Sequence, residues 1–185
     1  MIRELTRMGN PILRQKAEEV SKEYVASEEF RQLVEDLKDS MKHYGGIGIA
    51  APQIGVSLQV AIIEVPRGNR YGAEVALPLT VFVNPKLELL TEELQGYWEG
   101  CLSVPGLRGF VERPRKLKVT YLNEEGEERE MTVEGFLATV IQHELDHLYG
   151  VLYVDRIKDM KLLMFQEEYE RYIVAAGGSQ EKELE

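Results

Sequence analysis

The feature that most constrains the fold of this 185-residue chain is the apolar run Phe136–Ile141, which leads almost directly into the segment His143–His147. The run is apolar on nearly every face of a helix, and a helix of that kind is buried all round rather than along one stripe. We therefore predict a helix from about Val133 to Tyr149 that stops at Gly150 and lies in the middle of the core.

Two further helices are predicted on either side of it. Ser27 fits as the N-cap of an amphipathic helix that ends at Gly45-Gly46. Another helix is predicted from about Asp159 to Ala176. The apolar positions at helical spacing are Phe30, Leu33, Val34, Leu37 and Met41 in the first, and Leu162, Phe165, Tyr169, Tyr172 and Ile173 in the second.

Short segments rich in β-branched and aromatic residues, bounded by Gly, Pro or Asn, indicate strands. Strands and helices do not alternate regularly, so we predict an α+β fold of short, mostly antiparallel strands packed around the central helix, with N- and C-terminal helices. Residues 1–176 are expected to form one domain, and residues 177–185 an acidic tail that frays. The predicted strands are Gln59–Val65, Thr80–Val83, Leu87–Tyr97, Leu117–Leu122 and Glu128–Val133, with a hairpin turn at Asn123–Gly126.

Composition excludes several classes of function. The chain has 22 Lys and Arg against 32 Asp and Glu, a net charge of −10, which argues against a basic face that binds DNA. Its single cysteine excludes an internal disulfide and suits a reducing compartment. No window approaches the roughly 20 apolar residues that span a bilayer, and the start lacks the apolar region of a signal peptide. We expect a cytoplasmic protein that binds neither DNA nor membrane.

The segment from His143 to His147 is the strongest chemical signal. Positions i and i+4 share one face of a helix, so both imidazoles can reach one metal ion, and Glu144 can act as acid or base on a water there. The alternative is a pair of histidines that cap a helix or pack in the core. The chain has only three histidines, and an idle His-Glu-x-x-His would be costly to bury in so apolar a helix, so the metal interpretation is favoured.

A catalytic site of this kind usually has three protein ligands and a water. Cys101 is one candidate for the third ligand, because Gly100 lets its backbone approach another group and the segment leaves a strand. A lone cysteine is ordinarily a small buried apolar residue, however, and a later Asp or Glu could complete the site instead.

The glycine-rich segment Gly45–Gln53 does not fit a phosphate-binding loop. It has neither the G-x-G-x-x-G pattern nor Gly-Lys-Ser/Thr, and it follows a helix instead of joining a strand to one. It fits either a helix C-cap with a tight turn or an exposed backbone edge that ends in Gln53, whose amide can donate to a developing oxyanion.

Together these segments resemble peptide deformylase, the enzyme family that removes the formyl group from the N-terminal methionine of new proteins. The family's motif G-Φ-G-Φ-A-A-x-Q, with Φ apolar, is present as Gly46–Gln53, E-G-C-Φ-S as Glu99–Ser103, and Q-H-E-Φ-D-H as Gln142–His147. The opening Gly9–Arg14 is also similar. The motifs occur in the family's order, whereas Pro66–Pro78 and the acidic tail lie outside them.

The resemblance implies that Cys101, His143 and His147 hold one divalent metal ion, usually ferrous iron in the family, although zinc, nickel or cobalt suits the same ligands. Glu144 would take a proton from water and pass it to the leaving amine. It also implies that Asp146 pairs with Arg113.

The oxyanion would be held by the metal, the backbone N–H of Leu102 and the amide of Gln53. The formylmethionyl peptide would add as a strand between Ile47-Gly48 and the segment Gly106-Leu107-Arg108-Gly109. Because they lie on the helical turns before His143, Phe136, Thr139 and Val140 would form the methionine pocket, with a plain core role as the alternative.

Two other functions stay open at this point. The His-Glu-x-x-His pattern alone also fits a zinc endopeptidase, and a metal-binding or ribosome-docking module without catalysis is the non-enzyme alternative. Intact Gln53, Cys101 and Glu144 count against the second alternative, because a module that only binds has no need of a general base. We expect a monomer that meets its substrate near the ribosomal exit.

Overall fold

A computed structural model describes residues 1–67, 75–177 and 181–182. The predicted α+β architecture is confirmed, with two antiparallel sheets and a central helix. The strands are β1 (Gly48–Ala50), β2 (Val60–Val65), β3 (Leu77–Leu89), β4 (Leu94–Cys101), β5 (Val104–Pro114), β6 (Lys116–Leu122), β7 (Glu128–Glu134), β8 (Leu163–Phe165) and β9 (Glu181–Lys182). The helices are α1 (Lys22–Val25), α2 (Glu28–Tyr44), α3 (Phe136–Asp146) and α4 (Gln166–Tyr169), with 3₁₀ turns at Pro11–Arg14, Ala51–Ile54, His147–Tyr149, Tyr153–Arg156 and Met160–Leu162 and a π-helical turn at Glu170–Val174.

The two sheets share α3 between them. The first has the strand order β1-β2-β3-β6-β7 and the second the order β8-β5-β4-β9. Helix α3 contacts β1, β2 and β7 of the first sheet and β5 of the second. Ala138 and Ile141 are fully buried, as the apolar run predicted, whereas Phe136 and Leu137 at the start of the helix are half-buried. The central helix therefore joins the two sheets, and β1 is left at the edge of its own sheet.

The N-terminal helix forms as its sequence predicts. The hydroxyl of Ser27 accepts a hydrogen bond from the backbone N–H of Phe30, and Gly45 ends the helix in the left-handed conformation with φ 71°. Phe30 and Leu37 are fully buried against the first sheet, in one cluster with Ile49 and Ile62. This helix covers one face of the sheet that carries β1.

The central helix is shorter than predicted. Strand β7 continues to Glu134, and Gly135 turns the chain with φ 64° before α3 begins at Phe136. At its other end the α-helix gives way after Asp146 to a 3₁₀ turn, which stops at Gly150 as predicted. The start was predicted too early because Val133 is apolar and suits the end of a strand as well as the start of a helix.

The strand predictions need two corrections. The segment Leu87–Tyr97 belongs to two strands, because β3 runs from Leu77 through Thr80–Val83 to Leu89 and β4 starts at Leu94. Strand β5 was not predicted, since Pro105, two glycines and Arg108 break the alternation that marks a strand. Its partner β4 supplies the backbone hydrogen bonds that hold it extended.

The C-terminal helix prediction was wrong over its first half. Residues Leu163–Phe165 pair with Leu107–Gly109 as β8, and α4 follows only at Gln166. A free strand edge offers unpaired N–H and C=O groups. Here the free edge of β5 pairs with Leu163–Phe165, although that segment also has apolar residues at helical spacing. Tyr169 packs on Trp98 and Phe110 behind this sheet.

The tail and the connection are described only in part. Glu181–Lys182 pair with β4, so the prediction of a frayed tail does not hold for these two residues. Residues 68–74, 178–180 and 183–185 lie outside the described part of the chain. Among the described residues, no helix is both long and apolar enough to cross a membrane.

Candidate metal centre and cavity

Three potential metal ligands meet at the end of the central helix. Cys101 ends β4, His143 lies in the last turn of α3, and His147, one turn later, begins the 3₁₀ turn that follows α3. Their ligand atoms all lie within 4.8 Å of one another, and Cys101 Sγ is 3.4 Å from His147 Nε2. Among the described residues this Cys-His-His group is the cluster that could hold a metal, so Cys101 rather than a carboxylate completes the predicted pair of histidines.

The donor set and its spacing fit one metal ion. Around a tetrahedral ion with typical metal–sulfur and metal–nitrogen bonds, sulfur and nitrogen ligands lie about 3.6 Å apart. The 3.4 Å between Cys101 Sγ and His147 Nε2 is close to that separation. A soft thiolate with two imidazoles suits iron, zinc and related metals rather than magnesium or calcium. Burial lowers the pKa of His147 well below its ordinary value, which favours the neutral, ligating form.

A carboxylate orients the first histidine. Nδ1 of His143 lies 2.7 Å from Glu99 Oε2, which fixes the ring and leaves Nε2 for a metal. Arg113 donates to both oxygens of Glu99, from Nε at 2.6 Å and from Nη2 at 3.0 Å. Burial alone would raise the pKa of Glu99, but Arg113 together with His143 lowers it to about 2. Glu99 is therefore a charged partner of His143, a role that was not predicted from its motif.

The pairing of Asp146 with Arg113 is confirmed. Nη1 of Arg113 donates to Asp146 Oδ2 at 2.8 Å, and Arg113 is only 1% exposed. Arg156 donates to the same carboxylate at 2.6 and 2.5 Å. Arg113 thus joins the motif helix α3 to strand β4 through two carboxylates, with all its charge compensated.

Glu144 presents a free oxygen at the centre. The residue is 6% exposed, and its Oε2 has no hydrogen-bond partner among the described residues. Burial raises the pKa of Glu144 to about 7. A Cβ on Gly48 would lie 2.5 Å from Glu144 Oε1, so only glycine lets β1 pass this close to the carboxylate.

The amide of Gln53 is held in one orientation. Its Oε1 accepts a hydrogen bond from the backbone N–H of Ala50 at 2.8 Å, so Nε2 must point the other way. Nε2 donates to Ser103 Oγ at 3.1 Å and lies 3.6 Å from Cys101 Sγ. The N–H groups of Gln53 Nε2 are therefore directed at Cys101 and Ser103, the two neighbours of Leu102 in the chain.

These groups open onto one cavity of about 330 Å³. The structure brings together there almost all the predicted site residues. From the metal end the lining residues are Gln53, Cys101, Leu102, His143 and Glu144, and from the predicted peptide site they are Ile47, Gly48, Gly106, Leu107, Arg108, Phe136, Thr139 and Val140.

Two of the predicted site residues, His147 and Gly109, do not line the cavity. Gly109 pairs with Glu99 on one side and Leu163 on the other, so neither edge of its backbone is open, which corrects its predicted place beside the peptide. A Cβ there would meet Ile157 at 2.5 Å and Tyr153 at 3.1 Å, on the buried side of the strand.

Several lining residues were not predicted. Tyr97, Glu99 and Cys101 are every second residue of β4, and every second side chain of a strand points to the same face of its sheet. This spacing could have placed Tyr97 and Glu99 beside Cys101. Gln166 gave no such signal, because its place depends on the pairing of β8 with β5. The unpredicted lining residues are Tyr44, Gly45, Gly46, Tyr97, Glu99, Gly100, Val104 and Gln166.

Comparison with known proteins gives a consistent match over most of the chain. The sequence model of the family "Polypeptide deformylase" matches residues 2–162. A peptide deformylase of Leptospira biflexa is 43% identical over 168 residues, which cover 90% of this chain and 94% of that protein. A peptide deformylase 1 of Nitrosomonas europaea is 45% identical over 161 residues, covering 87% and 90%.

Solved structures agree with these sequence matches. The Met-Ala-Ser-bound class I type b peptide deformylase of Acinetobacter baumannii has a TM-score of 0.80 and 38% identity, with 85% of this chain and 99% of that chain covered. The peptide deformylase of Thermotoga maritima has a TM-score of 0.76 and 36% identity, with 86% and 99% covered. The similarity therefore extends over most of the described fold.

Proposed function

Because this chain belongs to the peptide deformylase family, we propose that Cys101, His143 and His147 hold the metal ion of its deformylase site. The enzyme is a metal-dependent hydrolase that removes the formyl group from the N-terminal formylmethionine of new proteins. A divalent metal in such a set supplies Lewis acidity, which makes a water nucleophilic near neutral pH. The Glu99 carboxylate keeps His143 in the tautomer that can ligate.

Glu144 is the proposed general base and acid. Its unpartnered Oε2, buried beside the Cys-His-His group, is the observation that carries this assignment. A pKa raised by burial to about 7 suits a group that both accepts and releases a proton near neutral pH. Glu144 takes the proton of the attacking water and passes it to the amine that leaves as formate is released.

Gln53 and Leu102 are the proposed donors to the formyl oxygen. The bond from Ala50 to Gln53 Oε1 fixes Nε2 toward the ligands before substrate arrives. Donors that are already oriented cost little reorganisation when negative charge develops on that oxygen. The backbone N–H of Leu102 is the second proposed donor.

The peptide is proposed to add as a strand along β1, which lies at the edge of its sheet. Ile47 and Gly48 line one wall of the cavity, and Gly106, Leu107 and Arg108 line another. Pairing through main-chain atoms tolerates many sequences after the first residue, as an enzyme acting on many new proteins requires.

The methionine side chain is proposed to occupy the part of the cavity lined by α3. Phe136, Thr139 and Val140 face it from successive turns, and the ring of Tyr97 meets Phe136 edge to face, 5.5 Å away. An apolar pocket of this kind suits an unbranched thioether side chain.

Ferrous iron is the proposed native metal, with zinc, nickel or cobalt able to replace it, since the thiolate and two imidazoles suit all four. Iron activates oxygen, and a thiolate beside it is exposed to oxidation. We expect an iron form kept in air to lose activity faster than a nickel form, with oxidised Cys101 found by mass spectrometry. Equal lifetimes with unmodified Cys101 would contradict iron beside this thiol.

A cytoplasmic location, a monomeric state and proximity to the ribosome stay predictions. The proposed location is supported by Cys101, because a thiolate ligand is preserved best in a reducing compartment. Light scattering of the purified protein would check the monomeric state.

The test of the function is formate release from formyl-Met-Ala by the metal-loaded protein. We expect release that stops with a chelator and returns with added metal, and no cleavage of internal peptide bonds in unformylated peptides. Release unaffected by complete metal removal, or cleavage of internal bonds at a similar rate, would overturn the proposed site.

A further inference from the structure

The cavity contains one basic side chain. Among the described residues that line it, Arg108 is the single Lys or Arg, and it follows Gly106 and Leu107 on β5, which line the cavity as well. The metal end carries the carboxylates of Glu99 and Glu144. In the proposed binding mode, a peptide that leaves the methionine pocket along β1 moves away from the carboxylates of Glu99 and Glu144 and then passes the guanidinium of Arg108.

The guanidinium of Arg108 is held by neutral groups. Its Nε donates to Gln166 Oε1 at 2.5 Å, and the Gln166 amide donates in turn to Glu170 Oε1 at 2.6 Å. The guanidinium carbon lies 5.9 Å from the ring centre of Tyr169. A Cβ on Gly100 would be 2.6 Å from Nη1, so the group lies directly against that glycine.

The terminal nitrogens of Arg108 have no partner in the described part of the chain. No ion pair with a carboxylate is found for the guanidinium there, and the bond from Nε is its single hydrogen bond. Arg113 differs, since Glu99 and Asp146 take up all three of its nitrogens. Arg108 is thus fixed in direction while its Nη1 and Nη2 are free to bind an anion.

We propose that Arg108, held by Gln166 and Tyr169, forms a subsite for a carboxylate side chain in one of the two residues that follow the substrate's methionine. This inference rests on the proposed deformylase function. A guanidinium with both terminal nitrogens free binds a carboxylate through two parallel hydrogen bonds. On a chain of net charge −10, which otherwise repels acidic peptides, this site favours them locally.

The test compares substrates that differ only in charge. Amidated peptides of the form formyl-Met-Ala-X and formyl-Met-X-Ala are assayed at low salt with X as Glu or Gln. We expect kcat/KM about fivefold higher for Glu than for Gln at one of the two positions, mainly through a lower KM, because a partly exposed ion pair contributes about this factor. The ratio should fall toward one as salt is raised.

Two variants connect the preference to the proposed groups. Arg108→Gln should bring the Glu/Gln ratio to about one, and Gln166→Ala should lower it part of the way by freeing the guanidinium. Arg115→Gln removes an exposed arginine that pairs with Glu93 outside the cavity, and should leave the ratio unchanged.

The outcomes separate this inference from the function on which it rests. Equal kcat/KM for Glu and Gln peptides at both positions in the unaltered enzyme would overturn the subsite, as would a preference that survives Arg108→Gln. If no formylated peptide released formate, the deformylase proposal would fail instead.

Discussion

Two arginines of β5, Arg113 behind the metal ligands and Arg108 in the cavity wall, are held in opposite ways. Arg113 is 1% exposed, and two carboxylates compensate its charge, whereas Arg108 at the peptide end is held by an amide and an aromatic ring. A buried charge is costly unless fully paired, so Arg113 has no nitrogen left free for a ligand. A half-buried arginine keeps part of its hydration and can leave donors for a ligand. The comparison indicates that substitutions beside the metal ligands should reduce activity strongly, whereas substitutions in the part of the cavity that takes the peptide should change which substrates are preferred.

The largest effect is expected from Glu144→Gln at the metal end. The amide keeps the size of the side chain but removes the proton acceptor, so activity should fall about 10²–10⁴-fold. Metal content, measured by atomic absorption, should stay at one ion per chain, and the exposed Glu130→Gln should behave as wild type. Wild-type turnover by Glu144→Gln with metal bound would show that Glu144 is not the base.

Gly48→Ala should act through Glu144 and come next in size. The new Cβ would sit 2.5 Å from Glu144 Oε1, so the carboxylate or β1 must move. A displacement of about 1 Å can cost on the order of 100-fold in rate. The double variant with Glu144→Gln provides the control, because it should be no slower than Glu144→Gln alone. Additive losses would mean that Gly48 acts through the peptide strand instead.

Glu99→Gln should weaken metal binding rather than chemistry. His143 would lose its carboxylate partner and Arg113 one of its two, so metal affinity should fall about 10–100-fold. Glu93→Gln is the matched control, since Glu93 pairs with Arg115 in a bond of 3.0 Å at the exposed surface. Metal affinity is measured by competition with a chelator. Equal affinities in the two variants would show that the buried Glu99 matters no more for metal binding than the exposed Glu93.

The same carboxylate predicts how stability depends on pH in the metal-free protein. The folded pKa of Glu99, about 2, lies below the ordinary 4.5, so the ionised group stabilises the fold above pH 4.5. That contribution should be lost as pH falls from about 4.5 to about 2. The melting temperature of Glu99→Gln should therefore decline less steeply over this window than that of wild type. Parallel declines would contradict the depressed pKa.

Phe136→Ala should give the smallest change and affect selectivity. Removing the ring enlarges the proposed methionine pocket, which should reduce the preference for formyl-Met over formyl-Ala peptides about tenfold. Metal content should not change. A variant that lost metal instead would show that Phe136 supports the metal end, and the boundary between the two regions would have to move.

Local patterns in the sequence were sufficient for the helices α2 and α3 and for the three motifs. Ser27 and Gly45 mark the ends of α2 because caps depend on neighbouring residues alone. The spacing of His143 and His147 fixes their common face by helical geometry. These features need no knowledge of distant segments.

Residues far apart in the sequence decided the remainder. Strand β5 is irregular in its own sequence and extended only because β4 and β8 pair with it, and β8 in turn overrides the helical spacing of the C-terminal segment. The bond from His143 to Glu99 joins residues 44 positions apart, and the bond from Arg108 to Gln166 joins residues 58 apart. The sequence by itself determined the central helix and the common face of His143 and His147, while Cys101 was a ligand candidate that only the resemblance to the family favoured over a carboxylate. Only the tertiary structure decided which charges compensate one another and which stay free, because pairing depends on burial and distance, which no local pattern encodes.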